Sequence, residues 1–233
     1  MTTTVAATRP RLDRRQILVA ALALVDREGL EALSLRRLGG ELGVDPMAIY
    51  RHVEGRDGLE AGLAELLWDE IALPEAGDTP RDALRRLAYS VRDLFRRHPA
   101  AAPLVLRSAN LPRTELELFR AYLDRLTAGG LPEPARVLRP LVAYSLGSGY
   151  TESTMLSGRC DLRDWPTASE RDRLIALGQT LSPGTPPELT AAAVALIADC
   201  SPDRCFEDGL ALMLAGLTAN AAAPIPMASP PKA

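Results

Sequence analysis

Aromatic residues make up only 4% of these 233 residues, and no β-branched run alternates with polar positions. Without that period of two, a half-buried strand has no support, and an Ala- and Leu-rich chain suits helix packing. No run of about 20 apolar residues occurs, and the N-terminus lacks an apolar signal core, so neither membrane spanning nor secretion is expected and the cytoplasm is the expected location. Cys160, Cys200 and Cys205 show no C-x-x-C spacing and no companion histidines, which argues against a zinc site or disulfide framework and predicts core or surface thiols. Histidine occurs only at positions 52 and 98, without a nucleophile or base at a recognisable spacing. No enzymatic activity, cofactor or metal site is therefore expected. Lysine is nearly absent, with Lys232 the only one, and GC-rich coding accounts for that better than a demand for bidentate contacts at every position.

The chain is long enough to bury a sizeable core, as two domains or one extended unit, and is 47% hydrophobic. Its net charge of -3 is unevenly placed: from Arg9 to Arg56, nine arginines face seven acidic residues. A nucleic-acid binder needs such local basic groups rather than a basic whole. Within this part Ser34 can cap a helix carrying Leu35, Leu38 and Leu42, and Gly43 supplies the left-handed residue that ends it. Val44 plugs the corner. Asp45 then caps a second helix with Pro46 at its first position, and Ile49 and Val53 mark the buried face. Met47 and Arg51 turn outward, flanked by Ala48 and Tyr50, a mixture of small, apolar and hydrogen-bonding groups suited to a major groove.

A preceding helix opens with the capping-box pattern Asp13-Arg-Arg-Gln16, carries Ile17, Ala21, Leu24 and Val25 on one stripe, and closes at Gly29. Arg9, Arg11, Arg14 and Arg15 crowd its entry as candidate phosphate anchors. Downstream, Asp57 is expected to cap a connecting helix through Leu59, Leu63, Leu66 and Leu67 to Ile71, stopped by Pro74 and Gly77. Thr79-Pro80 starts a long helix with Leu84, Leu87, Val91, Leu94 and Phe95, which ends at His98-Pro99, so His98 reads as a helix terminus. Further helices are predicted over Arg113–Ala128, Glu133–Ser157, Pro187–Asp199 and Cys205–Asn220. Pro140 either kinks the second of these or marks its true first turn. Phe206, Leu210, Met213, Leu214 and Leu217 form a stripe that is either intrachain core or an interface. The boundaries are 9–72 for a helix-turn-helix domain with its connecting helix, 78–220 for a helical sensing and dimerisation domain, and 221–233 for a disordered tail.

The pattern Ile17-Leu-x-x-Ala21, Gly29, Leu33-Ser-x-Arg36, Leu42-Gly-Val, Ile49-Tyr-x-His52-Val53 and Arg56-x-x-Leu59 closely resembles the DNA-binding domain of TetR-family repressors. Similarity to the tetracycline-repressor branch continues through His98, Gly149, Pro186-Pro-x-Leu189, Phe206-x-x-Gly-Leu210 and Ala215-Gly-Leu217. The resemblance implies an all-α fold, with Ser34, Tyr50, His52 and Arg56 on phosphates and Arg36, Met47, Ala48 and Arg51 facing bases. Pro46, Met47 and Arg51 replace other residues of that branch, which implies a different operator. It further implies a homodimer built from the helices near Glu133 and Cys205, binding a palindromic double-stranded operator. An effector cavity is implied around Ile71, Leu87, Val91, Val105, Phe119, Tyr122 and Ser145, with Tyr144, Ser148, Thr151 and Glu152 in reach. Where the branch holds drug-bound magnesium, this chain has Val105, Ser145 and Ser153, so a small, mainly apolar effector is expected and no metal. Release of a repressor by that effector is the expected function. A transcriptional activator, or a regulator answering a protein partner, is the alternative.

Overall fold

The computed structural model describes residues 12–107, 111–154, 169, 182, 184–197 and 202–220, and among them every regular element is helical. Arg9, Arg11, Cys160, Cys200 and the expected tail lie outside the described residues. In chain order the helices are α1 (Arg14–Glu28), α2 (Leu35–Leu42), α3 (Pro46–Tyr50), α4 (Gly55–Asp69), α5 (Pro80–Arg97), α6 (Leu104–Arg107), α7 (Arg113–Ala128), α8 (Pro134–Thr154), α9 (Pro187–Ile197) and α10 (Pro202–Asn220).

Local chemistry sets most of these boundaries. Asp13 accepts from the Gln16 amide while the Gln16 side chain accepts from the Asp13 N–H, a complete capping box at α1. Ser34 caps α2, Asp45 caps α3 ahead of Pro46, and Thr79 caps α5 ahead of Pro80. Gly43 adopts φ 64°, the left-handed geometry that lets α2 stop and α3 start within three residues.

Several expectations are corrected. Asp57 does not cap α4; the helix already begins at Gly55 after Glu54, and Asp57 sits in its first turn, where a carboxylate still favours the positive end of the dipole. That helix stops at Asp69, ahead of Ile71 and of both Pro74 and Gly77. Helix α3 ends at Tyr50, leaving Arg51 as its C-cap and His52 in the following turn. Pro140 lies inside α8, whose first turn is opened by Pro134 instead. A short 3-10 turn at Leu30–Ala32 and the one-turn α6 carry too little periodicity to be read from sequence. Cys205 is disulfide-bonded rather than a thiol, its partner lying outside the described residues.

One continuous apolar core runs from Ile17 and Ile49 through Leu63, Leu67, Trp68 and Ile71 of the α4 end to Leu87, Phe95, Tyr122 and Phe206. Helix α4 packs on α1, where Gly62 faces Leu18, and on α6 and α7, where Trp68 meets Phe119. Helices α5 and α8 make the most extensive contact, and Gly149 permits it, because a Cβ there would stand 2.7 Å from the Phe95 ring. The α1–α4 and α5 ends are joined by charge as well. His98, the C-cap of α5, places Nδ1 2.7 Å from Asp26 of α1 and Nε2 3.1 Å from Glu70 at the end of α4, and Arg97 also pairs with Glu70.

Candidate nucleic-acid interface and sensor interior

Helices α2 and α3 pack at a corner that leaves no room for a side chain at Gly39, where a Cβ would lie 2.9 Å from the Val44 carbonyl oxygen and 3.2 Å from Pro46. Val44 is half-buried there, and Ile49 and Val53 are fully within the core. Met47 and Tyr50 consequently turn outward, 64% and 52% exposed. Arg36, Arg51 and His52 are exposed on the same helix pair and its following turn, and Ala48 is half-buried. Ser34 accepts from the Arg37 amide, which uses one lone pair and leaves its hydroxyl proton available to a phosphate.

The arginines divide into two sets. Arg14 pairs with Glu65, Arg27 with Glu28 and Glu41, and Arg37 with Glu28. Arg56 donates to the carbonyl oxygens of Leu33 and Leu30, each at 3.2 Å, and to Glu60 at 2.9 Å. That geometry makes Arg56 a brace on the turn between α1 and α2, with its side chain still exposed. Among the described residues no ion pair engages Arg36 or Arg51.

The sensor interior gathers some of the expected residues. Ile71, Leu87, Val91, Val105 and Tyr122 are buried together in the core, with Phe119 half-buried beside them. Most polar members of the expected set already have partners. Tyr122 donates to the Ala72 carbonyl at 2.7 Å, and burial pushes its phenol above the ordinary range. Ser145 donates to Leu141 and Thr151 to Gly147 within α8, and Tyr144 donates to the Phe206 carbonyl at 2.8 Å. Ser148 is half-buried. Glu152 is buried, with one carboxylate oxygen 2.8 Å from Arg92 Nε and the other 2.7 Å from Arg96 Nε. It therefore serves as the centre of an ion cluster with Asp203, which lies 2.8 Å from Arg92 and 2.7 Å from Arg96. The cluster fastens α5, α8 and α10 to one another.

Sequence reasoning missed that cluster, because its members lie in three distant segments and no local spacing links them. Arg92 also lies over the Phe206 ring at 4.5 Å, while Tyr89 donates to Glu207 and meets Phe206 edge-on at 5.3 Å. Arg86 grips Asp78 through two nitrogens at 2.9 and 3.1 Å, and this holds the Asp78 carboxyl at about 2. Trp68 was missed as well. It is 2% exposed, packs at a steep angle against Phe119 at 5.7 Å, and its indole N–H has no hydrogen-bond partner among the described residues. A separate cavity of about 130 Å³ lies between α5, α8 and α10, against Leu84, Val137, Pro140 and Met213, and contains none of the expected effector residues.

Residues 73–221 match the family described as tetracyclin repressor-like, C-terminal domain. The chain belongs to the TetR family of transcriptional regulators. This TetR-family regulator is 27% identical over 191 residues to the transcriptional repressor DrrR1 of Streptomyces coeruleorubidus, covering 78% of the chain and 69% of that protein. It is 28% identical to the class C tetracycline repressor of Escherichia coli, across 89% of the chain and 91% of the relative. Its fold matches that of ActR from Streptomyces coelicolor, a TetR family protein solved in complex with actinorhodin, with a TM-score of 0.70 and 27% identity over 91% of this chain and all of that one.

Proposed function

We propose that this regulator is a repressor that binds a palindromic operator as a homodimer and is released by a small, mainly apolar effector. The observation that carries the DNA reading is the division among the arginines: Arg27, Arg37 and Arg56 are held by carboxylates and carbonyls, whereas Arg36 and Arg51 stand with Met47 and Tyr50 on an open outward face. Arg36 and Arg51 read bases alongside Met47 and Ala48, and Ser34, Tyr50 and His52 hold phosphates. The working units are 9–72 for DNA and 78–220 for sensing and dimerisation, acting in the cytoplasm.

Homodimerisation is supported by a run of exposed small and apolar positions. On α8, Pro140, Ala143, Gly147 and Tyr150 recur at helical spacing, and on α10 Ala211 and Leu212 are exposed beside the cavity at Met213 and Gly216. Two such faces form a four-helix contact that sets two recognition helices about 34 Å apart, the spacing of successive major-groove faces.

A small-molecule effector is supported by ActR, which was solved in complex with actinorhodin. Metal chelation is unsupported at Val105, Ser145 and Ser153, the first apolar and the hydroxyls of the other two bonded to carbonyls of their own helix. Binding shifts the population toward a state in which α4 carries α3 out of register, and decisive release needs about 5 kcal/mol of differential affinity. Selection of bound DNA from a random pool tests the central reading. A palindromic consensus is the expected result, and recovery of unrelated sequences at low salt overturns it. Calorimetric binding of tetracycline that depends on magnesium overturns the metal-free effector.

A further inference from the structure

The cavity of about 130 Å³ between α5, α8 and α10 shares no residue with the expected sensor interior. Its lining is buried at Leu84, Leu141 and Leu214, half-buried at Val137 and Met213, and exposed at Arg136 and Pro140, so it is closed at one end and open at the other. An apolar space of about 150 Å³ accepts a benzene ring, which makes a single ring the largest body that fits. Arg136 is the one charged residue of the lining.

The start of α8 leaves that arginine ready to exchange partners. Arg136 Nη1 donates to Glu133 at 2.6 Å, but the two side chains are 48% and 66% exposed, and a pair so open to water is weak. Glu133 also holds its place at φ 50°, a left-handed backbone that disfavours any side chain and that no other non-glycine residue adopts among those described. Pro140 has no N–H for the Arg136 carbonyl, so this turn of α8 lacks a helical hydrogen bond and can yield to an occupant.

We propose that this cavity is a second ligand site, for a compact aromatic carboxylic acid whose ring lies among Leu84, Val137 and Met213 and whose carboxylate replaces Glu133 on Arg136. A planar guanidinium at the mouth of an apolar space selects an anion with an apolar body, and a carboxylate matches its paired donors. Fused ring systems are excluded by size. The occupant also borders Pro140 and Leu212, and so the proposed contact between copies.

The test titrates the full chain, carrying 13C-methyl methionine, with benzoate and with toluene as an uncharged probe of similar bulk. The Met213 methyl, assigned with Met213→Leu, is expected to shift saturably with both. Arg136→Gln is expected to weaken benzoate binding about ten-fold and to leave toluene unchanged. Glu133→Gly suits the left-handed backbone and frees Arg136, so it is expected to tighten benzoate about three-fold, a gain that misfolding does not mimic. A Met213 methyl that benzoate leaves in place overturns the proposal, as does equal benzoate affinity in wild type and Arg136→Gln, or no gain in Glu133→Gly. A methyl that ignores both probes and moves on dilution overturns it too, and gives the cavity to a side chain of a second copy.

Discussion

Arginine has two employments around α2 and α3, distinguished by what surrounds each guanidinium. Arg56 donates to two carbonyls of the Leu30–Leu33 turn and to Glu60, and so reduces the exposure of backbone acceptors that water would otherwise satisfy. Arg56→Ala is expected to lower folding stability by about 1–3 kcal/mol in urea titration. The salt slope of operator binding should stay unchanged, and a fall of about one unit in that slope would restore Arg56 to the phosphate anchors. Arg36 has the opposite environment, exposed on α2 with no ion pair among the described residues. Arg36→Ala is expected to cost about 1–3 kcal/mol of discrimination at one base pair and little at the others. Competition binding against single-base operator variants measures this, and uniform weakening across all of them would show a backbone contact. The two arginines cannot be told apart in sequence, because the carbonyls that hold Arg56 belong to a turn with no periodic signature.

At the scale of elements, close crossings depend on small residues and on well-anchored ends. Gly149 lets α8 approach Phe95 of α5, so Gly149→Ala forces a methyl against a fully buried ring and is expected to destabilise by about 1–3 kcal/mol. Urea unfolding checks it, and no loss of stability would mean that the ring relaxes freely. The start of α5 is anchored by Asp78, whose carboxyl Arg86 holds at about 2, below the ordinary 3.8. A depressed carboxyl stabilises the fold above its unfolded value, and that contribution fades as pH falls through the folded one. The thermal midpoint of Asp78→Asn is therefore expected to lie below wild type by a constant margin above pH 5, closing between about pH 4 and pH 2. Helix ends were legible wherever a side chain caps its own neighbour, as at Asp13, Ser34, Asp45 and Thr79. The start of α4 was not, since no side chain caps it and packing alone selects Gly55 over Asp57.

For the molecule as a whole, the DNA face was legible because capping, a left-handed glycine and one apolar face are all local signals. The sensor interior was legible only as a set of apolar positions. Whether Glu152 or Tyr144 is open to a ligand depends on Arg92, Arg96 and the first turns of α10, about 50 to 60 residues away in the chain. Helix α4 and the His98 bridge to Asp26 and Glu70 join the two ends of the molecule, but reading a palindrome requires a second copy. In the proposed dimer the exposed small and apolar positions of α8 and α10 supply the contact, and Leu212, 76% exposed in the single chain, stands one turn from Gly216 among them. A lone leucine on a monomer's surface needs no explanation, whereas one beside a cavity on the proposed contact face would be buried by association. In the proposed dimer Leu212→Glu places a carboxylate from each copy within the apolar contact, where burial and mutual repulsion penalise both. Sedimentation is expected to show a monomer at concentrations where wild type is a dimer. Operator affinity should fall by about 100-fold or more, because the second half-site no longer binds as part of the same particle, while the affinity of one recognition unit for an isolated half-site stays unchanged. A Leu212→Glu protein that sediments as a dimer and binds the full operator normally would move the interface to another face of the molecule.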